Sequence, residues 1–71
     1  MANVVQSPVV GTVWKIEIAL GDSVDAGDDI MILESMKMEI PVEAESSGKV
    51  IAINVEEGDQ VAEGDTLATL E

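Results

Sequence analysis

Hydrophobic and polar residues alternate with a period near two along much of the chain, and this pattern predicts short β-strands. The clearest segments of this kind are residues 9–18 and 48–55. Residues 30–33 and 67–70 are shorter apolar runs, of the length expected for strands buried in a compact sandwich. No stretch sustains the 3.6-residue period of an amphipathic helix. The pattern therefore predicts an all-β protein.

Four Gly-Asp dipeptides separate these apolar segments, beginning at positions 21, 27, 58 and 64. Glycine adopts positive φ without a Cβ penalty, and the aspartate that follows can bond the nearby backbone, so each dipeptide predicts a tight turn. Between successive turns there is room only for very short strands, at 23–24 and 60–61. With edge-forming pieces at 2–6 and 40–43, the chain is expected to form about eight strands in two sheets.

The sequence contains two copies of one pattern, and a shift of 37 positions superposes them without a gap. All six glycines coincide under this shift. Because no linker separates the repeats 11–34 and 48–71, we interpret residues 1–71 as a single domain whose halves are related by a pseudo-two-fold axis. Lys37 has no counterpart except the two chain ends. The symmetry therefore predicts that Lys37 and the termini lie at opposite poles.

Composition restricts the chemistry that is available to the chain. Hydrophobic residues make up 46% of it, but Trp14 is the one aromatic residue and is expected to anchor the core or a sheet edge. The absence of cysteine and histidine excludes disulfides and the usual nitrogen and sulfur ligands of zinc. The acidic pairs 28–29 and 56–57 are adjacent residues, and adjacent residues of a strand point to opposite faces. We therefore expect neither pair to form a metal site or a catalytic acid pair.

The chain has 15 acidic residues and three lysines, with a formal net charge of −12. Phosphate backbones and anionic lipids repel such a chain, so nucleic acid and membrane are poor candidates for partners. No secretory signal and no apolar run of roughly 20 residues is present, which leads us to expect a soluble, cytoplasmic protein. The start at Met1, directly before the first predicted strand, favours a free-standing protein. Solubility explains the acidic excess; docking to basic enzyme surfaces is the alternative.

The most unusual segment is Glu34-Ser35-Met36-Lys37-Met38-Glu39, which lies at the junction of the two repeats. A two-residue hairpin favours Asn-Gly or another glycine-containing pair, whereas this turn is built around Met36 and Lys37. Broken local rules of this kind tend to mark functional sites. A lysine amine is protonated near neutral pH, and the carboxylates of Glu34 and Glu39 favour the charged form. A separate enzyme must therefore bind the turn and supply an activated acyl group.

The hexapeptide, together with the repeated glycines and Gly-Asp turns, resembles the biotinyl domain family, in which a Met-Lys-Met turn carries biotin on its central lysine. The resemblance covers nearly the whole chain and is closest to the small free-standing biotin/lipoyl attachment proteins, which lack a protruding thumb. It implies a flattened barrel of two four-stranded antiparallel sheets with quasi-two-fold symmetry, the barrel-sandwich hybrid. It also implies that a biotin protein ligase attaches biotin to Lys37 from biotinyl-adenylate. The implied recognition residues are Glu34, Ser35, Met36, Met38 and Glu39.

This resemblance implies a carrier and not an enzyme. Biotin on Lys37 would take up a carboxyl group at a biotin carboxylase and deliver it at a carboxyltransferase. Two alternatives remain open. The first is a lipoyl carrier of an acyl-transfer complex, although lipoyl domains usually have Asp where this chain has Met36. The second is an unmodified binding module that uses its methionine-flanked turn as an apolar contact.

Overall fold

The chain forms eight β-strands in the computed structural model, which describes residues 3–71. Residue 2, the first position of the predicted N-terminal piece, lies outside the described residues. The strands are β1 (Asn3–Gln6), β2 (Gly11–Ile16), β3 (Ser23–Val24), β4 (Asp29–Ser35), β5 (Met38–Glu43), β6 (Gly48–Ile53), β7 (Gln60–Val61) and β8 (Thr66–Leu70). Nothing in residues 3–71 is a helix long and apolar enough to cross a membrane.

Two four-stranded antiparallel sheets pack together, with strand orders β1-β8-β6-β3 and β5-β4-β2-β7. The predicted architecture is therefore confirmed, and so are the two short strands between the turns. Strands β2 and β6 end earlier than the alternating pattern suggests, at Ile16 and Ile53. The apolar residues that follow, Ile18 and Val55, pack against the core from loops. They continue the alternation because they are partly buried against the core, although they lie outside the strands.

The backbone pairing repeats with the sequence. Val13 pairs with Leu33 in one sheet, and the residues 37 positions later, Val50 and Leu70, pair in the other. A β-bulge follows Val13 and Val50 at the equivalent place in both halves. The turn that joins β4 to β5 in one half therefore corresponds to a gap between chain ends in the other half, where β8 ends and β1 begins. The register agrees with the pseudo-two-fold symmetry that the glycines predict.

The core contains only aliphatic side chains and one methionine among its buried hydrophobic residues. Both sheets contribute to it through the inward-facing residues of their strands. The largest side chains that are fully buried are Ile30, Met31, Leu33, Leu67 and Leu70. All five lie on β4 or β8, so these two strands form the centre of the core.

The expectation for Trp14 is wrong. Its side chain is 50% exposed, and β2 lies between β4 and β7 and is not an edge strand. Trp14 is the extra residue of the bulge between Val13 and Lys15, and such a bulge redirects the side chains of its strand. Ile51 occupies the equivalent bulge of β6 and is 45% exposed. An apolar side chain therefore lies on the outside of the domain at each bulge, directly after an inward-facing valine.

All four Gly-Asp turns have the same hydrogen bonds. Each glycine has a positive φ, between 88° and 95°. Each aspartate carboxylate accepts a hydrogen bond of 2.8–2.9 Å from the backbone N–H three residues before it. Asp28 and the pair 56–57 belong to these turns and Asp29 is the first residue of β4, so neither pair lies within one strand and the argument from strand alternation does not apply to them. Within residues 3–71, no group of three or more acidic side chains is arranged to hold a metal ion.

Gly58→Val is expected to destabilise the domain by about 1–2 kcal/mol, the cost of a left-handed backbone at a residue with a Cβ atom. A Cβ at position 58 meets no atom within 4 Å, so the cost comes from the φ of +95° and not from a clash. Thermal melts of Gly58→Val and of Ala62→Val, an exposed residue of the next turn, measure this effect. Equal melting temperatures for the two variants would contradict the strained turn.

Candidate functional site at the tip of the β4–β5 hairpin

Strands β4 and β5 are joined by a two-residue turn. Ser35 and Met38 form the last pair of the hairpin, and Met36 and Lys37 make the turn, with φ of 53° and 65°. Positive φ at both central residues is the signature of a type I′ turn, which glycine and asparagine normally occupy. Met36 and Lys37 are the two non-glycine residues with positive φ in the described chain. The hairpin therefore retains strain at Lys37, as functional sites often do.

The side chains of the turn project into solvent. Met36 is 92% exposed, Met38 is 61% exposed, and Lys37 is exposed between them. Met31, on the same hairpin, is fully buried, so this chain uses methionine in two distinct ways. Two large apolar side chains in water add nothing to the core. Their position on either side of Lys37 suits contact with another protein.

A second segment supports the turn from one side. The Ser35 hydroxyl donates a hydrogen bond of 2.8 Å to the backbone carbonyl of Val10, which precedes β2. The absence of a side chain at Gly11 lets the start of β2 approach the end of β4, because a Cβ at Gly11 would lie 2.6 Å from the Glu34 carbonyl oxygen. Val10 itself is exposed beside the turn. Sequence reasoning missed Val10, yet a signal existed, since its counterpart in the repeat is the polar residue Ser47.

Two carboxylates face each other just below the turn. Glu34 and Glu39 are directly opposed across β4 and β5, and both are exposed. Like charges at such positions are destabilising. The ion pair found in residues 3–71 joins Lys15 to Glu17 at 3.7 Å, so neither of these carboxylates is neutralised by a lysine of the described chain. The pair makes this end of the hairpin negative and favours a cationic group from a partner.

The site therefore presents one primary amine on a rigid hairpin. As a nucleophile, a lysine amine forms an amide with an activated acyl carbon, and the leaving group and one proton depart. The hairpin brings together all the residues predicted for recognition, from Glu34 to Glu39. Ser35 differs from the others because its hydroxyl is used to anchor the turn.

Comparison with known proteins assigns the chain to a family. A family described as "Biotin-requiring enzyme", the Biotin_lipoyl family, matches residues 1–70. This chain belongs to that family. The predicted resemblance is thereby confirmed, and the two-sheet fold agrees with it.

The similarity of this Biotin_lipoyl domain extends to small proteins and to large enzymes. It is 47% identical over 62 residues to the biotin/lipoyl attachment protein of Bacillus subtilis (strain 168), and the aligned residues cover 87% of this chain and 85% of that protein. It is 42% identical over 69 residues to the biotin carboxyl carrier protein of Streptococcus mutans, covering 97% of this chain and 53% of that one. The crystal structure of Kluyveromyces lactis urea carboxylase matches with a TM-score of 0.94 and 42% identity, over 100% of this chain and 6% of that chain.

Proposed function

We propose that this chain is a biotin carboxyl carrier, in which biotin on Lys37 moves a carboxyl group from a biotin carboxylase to a carboxyltransferase. The observation that carries the proposal is the exposed I′ turn, which holds Lys37 between Met36 and Met38 in a domain of a biotin-requiring family. Residues 1–71 act as one carrier domain and not as an enzyme. The biotin supplies the carboxyl chemistry, and the domain supplies position and tether.

Attachment of biotin uses the Lys37 amine as the nucleophile. The amine nitrogen attacks the acyl carbon of biotinyl-adenylate, a C–N bond forms, and the C–O bond to the adenylate breaks. AMP leaves. The Lys37 ammonium gives one proton to a base of the ligase before the attack, and the nitrogen releases a second proton to solvent as the amide forms. The amide is neutral, so the formal net charge of the chain changes from −12 to −13.

Three partner enzymes follow from this role: a biotin protein ligase, a biotin carboxylase and a carboxyltransferase. The similarity to a carrier protein and to a domain of urea carboxylase supports the last two. The ligase follows from the chemistry, because an amide does not form without an activated acyl donor. The acceptor substrate is selected by the carboxyltransferase and not by this domain. We place this cycle in the cytoplasm, as the sequence predicts.

Lipoate is the second candidate cofactor, because the Bacillus subtilis relative is named for both attachments. The residue before the lysine favours biotin, since Met36 stands where lipoyl domains usually have Asp. The carrier and carboxylase relatives also support biotin over lipoate.

The proposal is tested by co-expression of the chain with a biotin protein ligase. Intact mass should show one biotinyl group for each chain, and streptavidin should retain the product. Lipoate gives a different mass, and an unmodified module gives none. A chain that stays unmodified beside a ligase that modifies a control carrier would contradict the proposal.

The double change Met36→Asp with Met38→Ala is expected to slow carboxyl transfer and to let a lipoyl-attaching enzyme modify Lys37 more readily. Discrimination between two enzymes is a difference of affinities, and it depends here on the neighbours of the target lysine. Melting behaviour should be preserved because neither side chain reaches the core. Biotinylation and lipoylation are measured side by side, with Leu20→Asp as the control for an exposed apolar residue on another loop. Unchanged cofactor preference and unchanged transfer rates would show that recognition lies elsewhere.

A further inference from the structure

The outer face of the sheet that carries Lys37 has a row of apolar side chains. Ile32 pairs with Pro41 of β5 on one side and with Lys15 of β2 on the other, next to the bulged residue Trp14. The residues adjacent to Ile32 along β4 are buried in the core, so Ile32 itself faces outward. Pro41 is exposed and Trp14 is half-exposed. We call Trp14, Ile32 and Pro41 the outer row.

Carboxylate pairs lie on both sides of the outer row. Glu34 and Glu39 are directly opposed on the side near Lys37, and Asp29 and Glu43 are directly opposed on the far side. All four side chains are exposed. Along β5, Glu39 and Glu43 are each two residues from Pro41, and successive outward residues of a strand are about 7 Å apart. Each pair therefore lies one such step from the outer row. The face is thus an apolar strip with negative charge along both edges.

The other half of the molecule is an internal control for this pattern. Its β1–β8 pairing has the same register, but Gln6 and Thr66 occupy the places of Glu43 and Asp29. In the outer row the halves differ in polarity at one position, where Thr69 occupies the place of Ile32. The places of Pro41 and Trp14 are taken by the exposed apolar residues Val4 and Ile51. The pairing therefore does not need acidic residues at positions 29 and 43. Since like charges opposed across strands are destabilising, the Asp29–Glu43 pair requires an explanation other than folding.

The face is continuous with the site at Lys37. The pair Glu34–Glu39 is adjacent to Ser35 and Met38, the pair that closes the turn. An enzyme that brings its active site to the Lys37 amine must lie against the sides of this hairpin. We propose that the outer row and its two carboxylate pairs form the surface on which the enzyme that acylates Lys37 docks. This inference rests on the proposed function of Lys37.

The chemistry of the face specifies the matching surface of that enzyme. Cationic side chains would oppose the two carboxylate pairs, and an apolar patch between them would cover the outer row. The one cation of the face, Lys15, is already paired with Glu17 at 3.7 Å, so it offsets little of the charge. Complementary charges of this kind accelerate encounter and weaken with salt. The KM for the carrier should therefore rise with ionic strength.

The test replaces residues of this face with those that the other half has at the same positions. One variant combines Asp29→Thr with Glu43→Gln, and a second combines Trp14→Ile with Ile32→Thr. Steady-state biotinylation of each full chain is measured with a biotin protein ligase at several salt concentrations. We expect the acidic variant to raise the KM for the carrier about threefold to tenfold and to reduce its salt dependence, with kcat little changed. The apolar variant should raise KM without changing the salt dependence.

A matched control has the same change of charge away from the face. Glu56→Gln with Glu63→Gln neutralises two exposed carboxylates in turns and should leave KM close to that of the wild type. Gln6→Glu with Thr66→Asp adds an acidic pair to the other half and should not lower KM. If the wild type is biotinylated but the Asp29/Glu43 variant has the same KM as the Glu56/Glu63 control, the proposed docking face is wrong. A wild type that remains unmodified would overturn the proposed function itself.

Discussion

Lys37→Arg is expected to abolish biotin incorporation, whereas Lys15→Arg and Lys49→Arg leave it unchanged. All three lysines are exposed, so exposure does not distinguish them. What distinguishes Lys37 is its place in a I′ turn between two exposed methionines. Arginine retains the positive charge but is not deprotonated in proteins, so it supplies no amine nucleophile. Intact mass after co-expression with the ligase measures the effect, which should be complete and not partial.

The same variant should keep the stability of the domain nearly unchanged. Lys37 is not part of the core. Lysine and arginine at this position must adopt the same positive φ, so the backbone cost of the turn does not change. A thermal melt of Lys37→Arg close to that of the unmodified wild type establishes that the loss is chemical. Biotin retained on the Lys37→Arg chain would show that the acyl group is attached at another amine, and the site assignment would then be wrong.

Gly11→Ala is expected to cause the largest loss of stability among the single-methyl changes near the site. The added Cβ would lie 2.6 Å from the Glu34 carbonyl oxygen, and that atom belongs to backbone within a paired strand. Overpacking of this kind costs roughly 1–3 kcal/mol, and we expect a value near the upper end because neither strand moves freely. For a domain of this size, each kcal/mol lowers the melting temperature by about 4–8 °C.

Gly48→Ala is the matched control, since Gly48 occupies the same position in the second repeat. Its Cβ would lie 3.2 Å from the nearest atoms, so a shift of a few tenths of an ångström relieves the contact. Gly11→Ala should also raise the KM for biotinylation, because it displaces Glu34 and the neighbouring anchor between Ser35 and Val10. Equal losses of stability in the two variants, with equal KM, would show that the close approach at Gly11 has no special role at the tip.

Much of this protein is determined by local features of its sequence. The alternation of apolar and polar residues indicated the strands, because side chains of a strand point alternately to opposite faces. The Gly-Asp dipeptides indicated the turns, because glycine adopts the positive φ that they require. The 37-residue repeat indicated two similar halves, and it isolated the Met36-Lys37 turn as the segment without a counterpart. These inferences need only neighbouring residues or a comparison of the chain with itself.

Other features depend on which strands pair and in what register, and here the tertiary structure decided. Trp14, which was expected to anchor the core or a sheet edge, follows the inward-facing Val13 and is exposed. The bulge there reverses the face of the residues that follow, so Ile16 packs against the core. The approach of Gly11 to Glu34 and the opposition of Glu34 to Glu39 also arise from pairing between strands. The alternation of apolar and polar residues along a strand is compatible with many pairing registers. The packing of the two sheets selects one of these registers. The acidic edges of the outer row therefore became visible only when the strands were placed side by side.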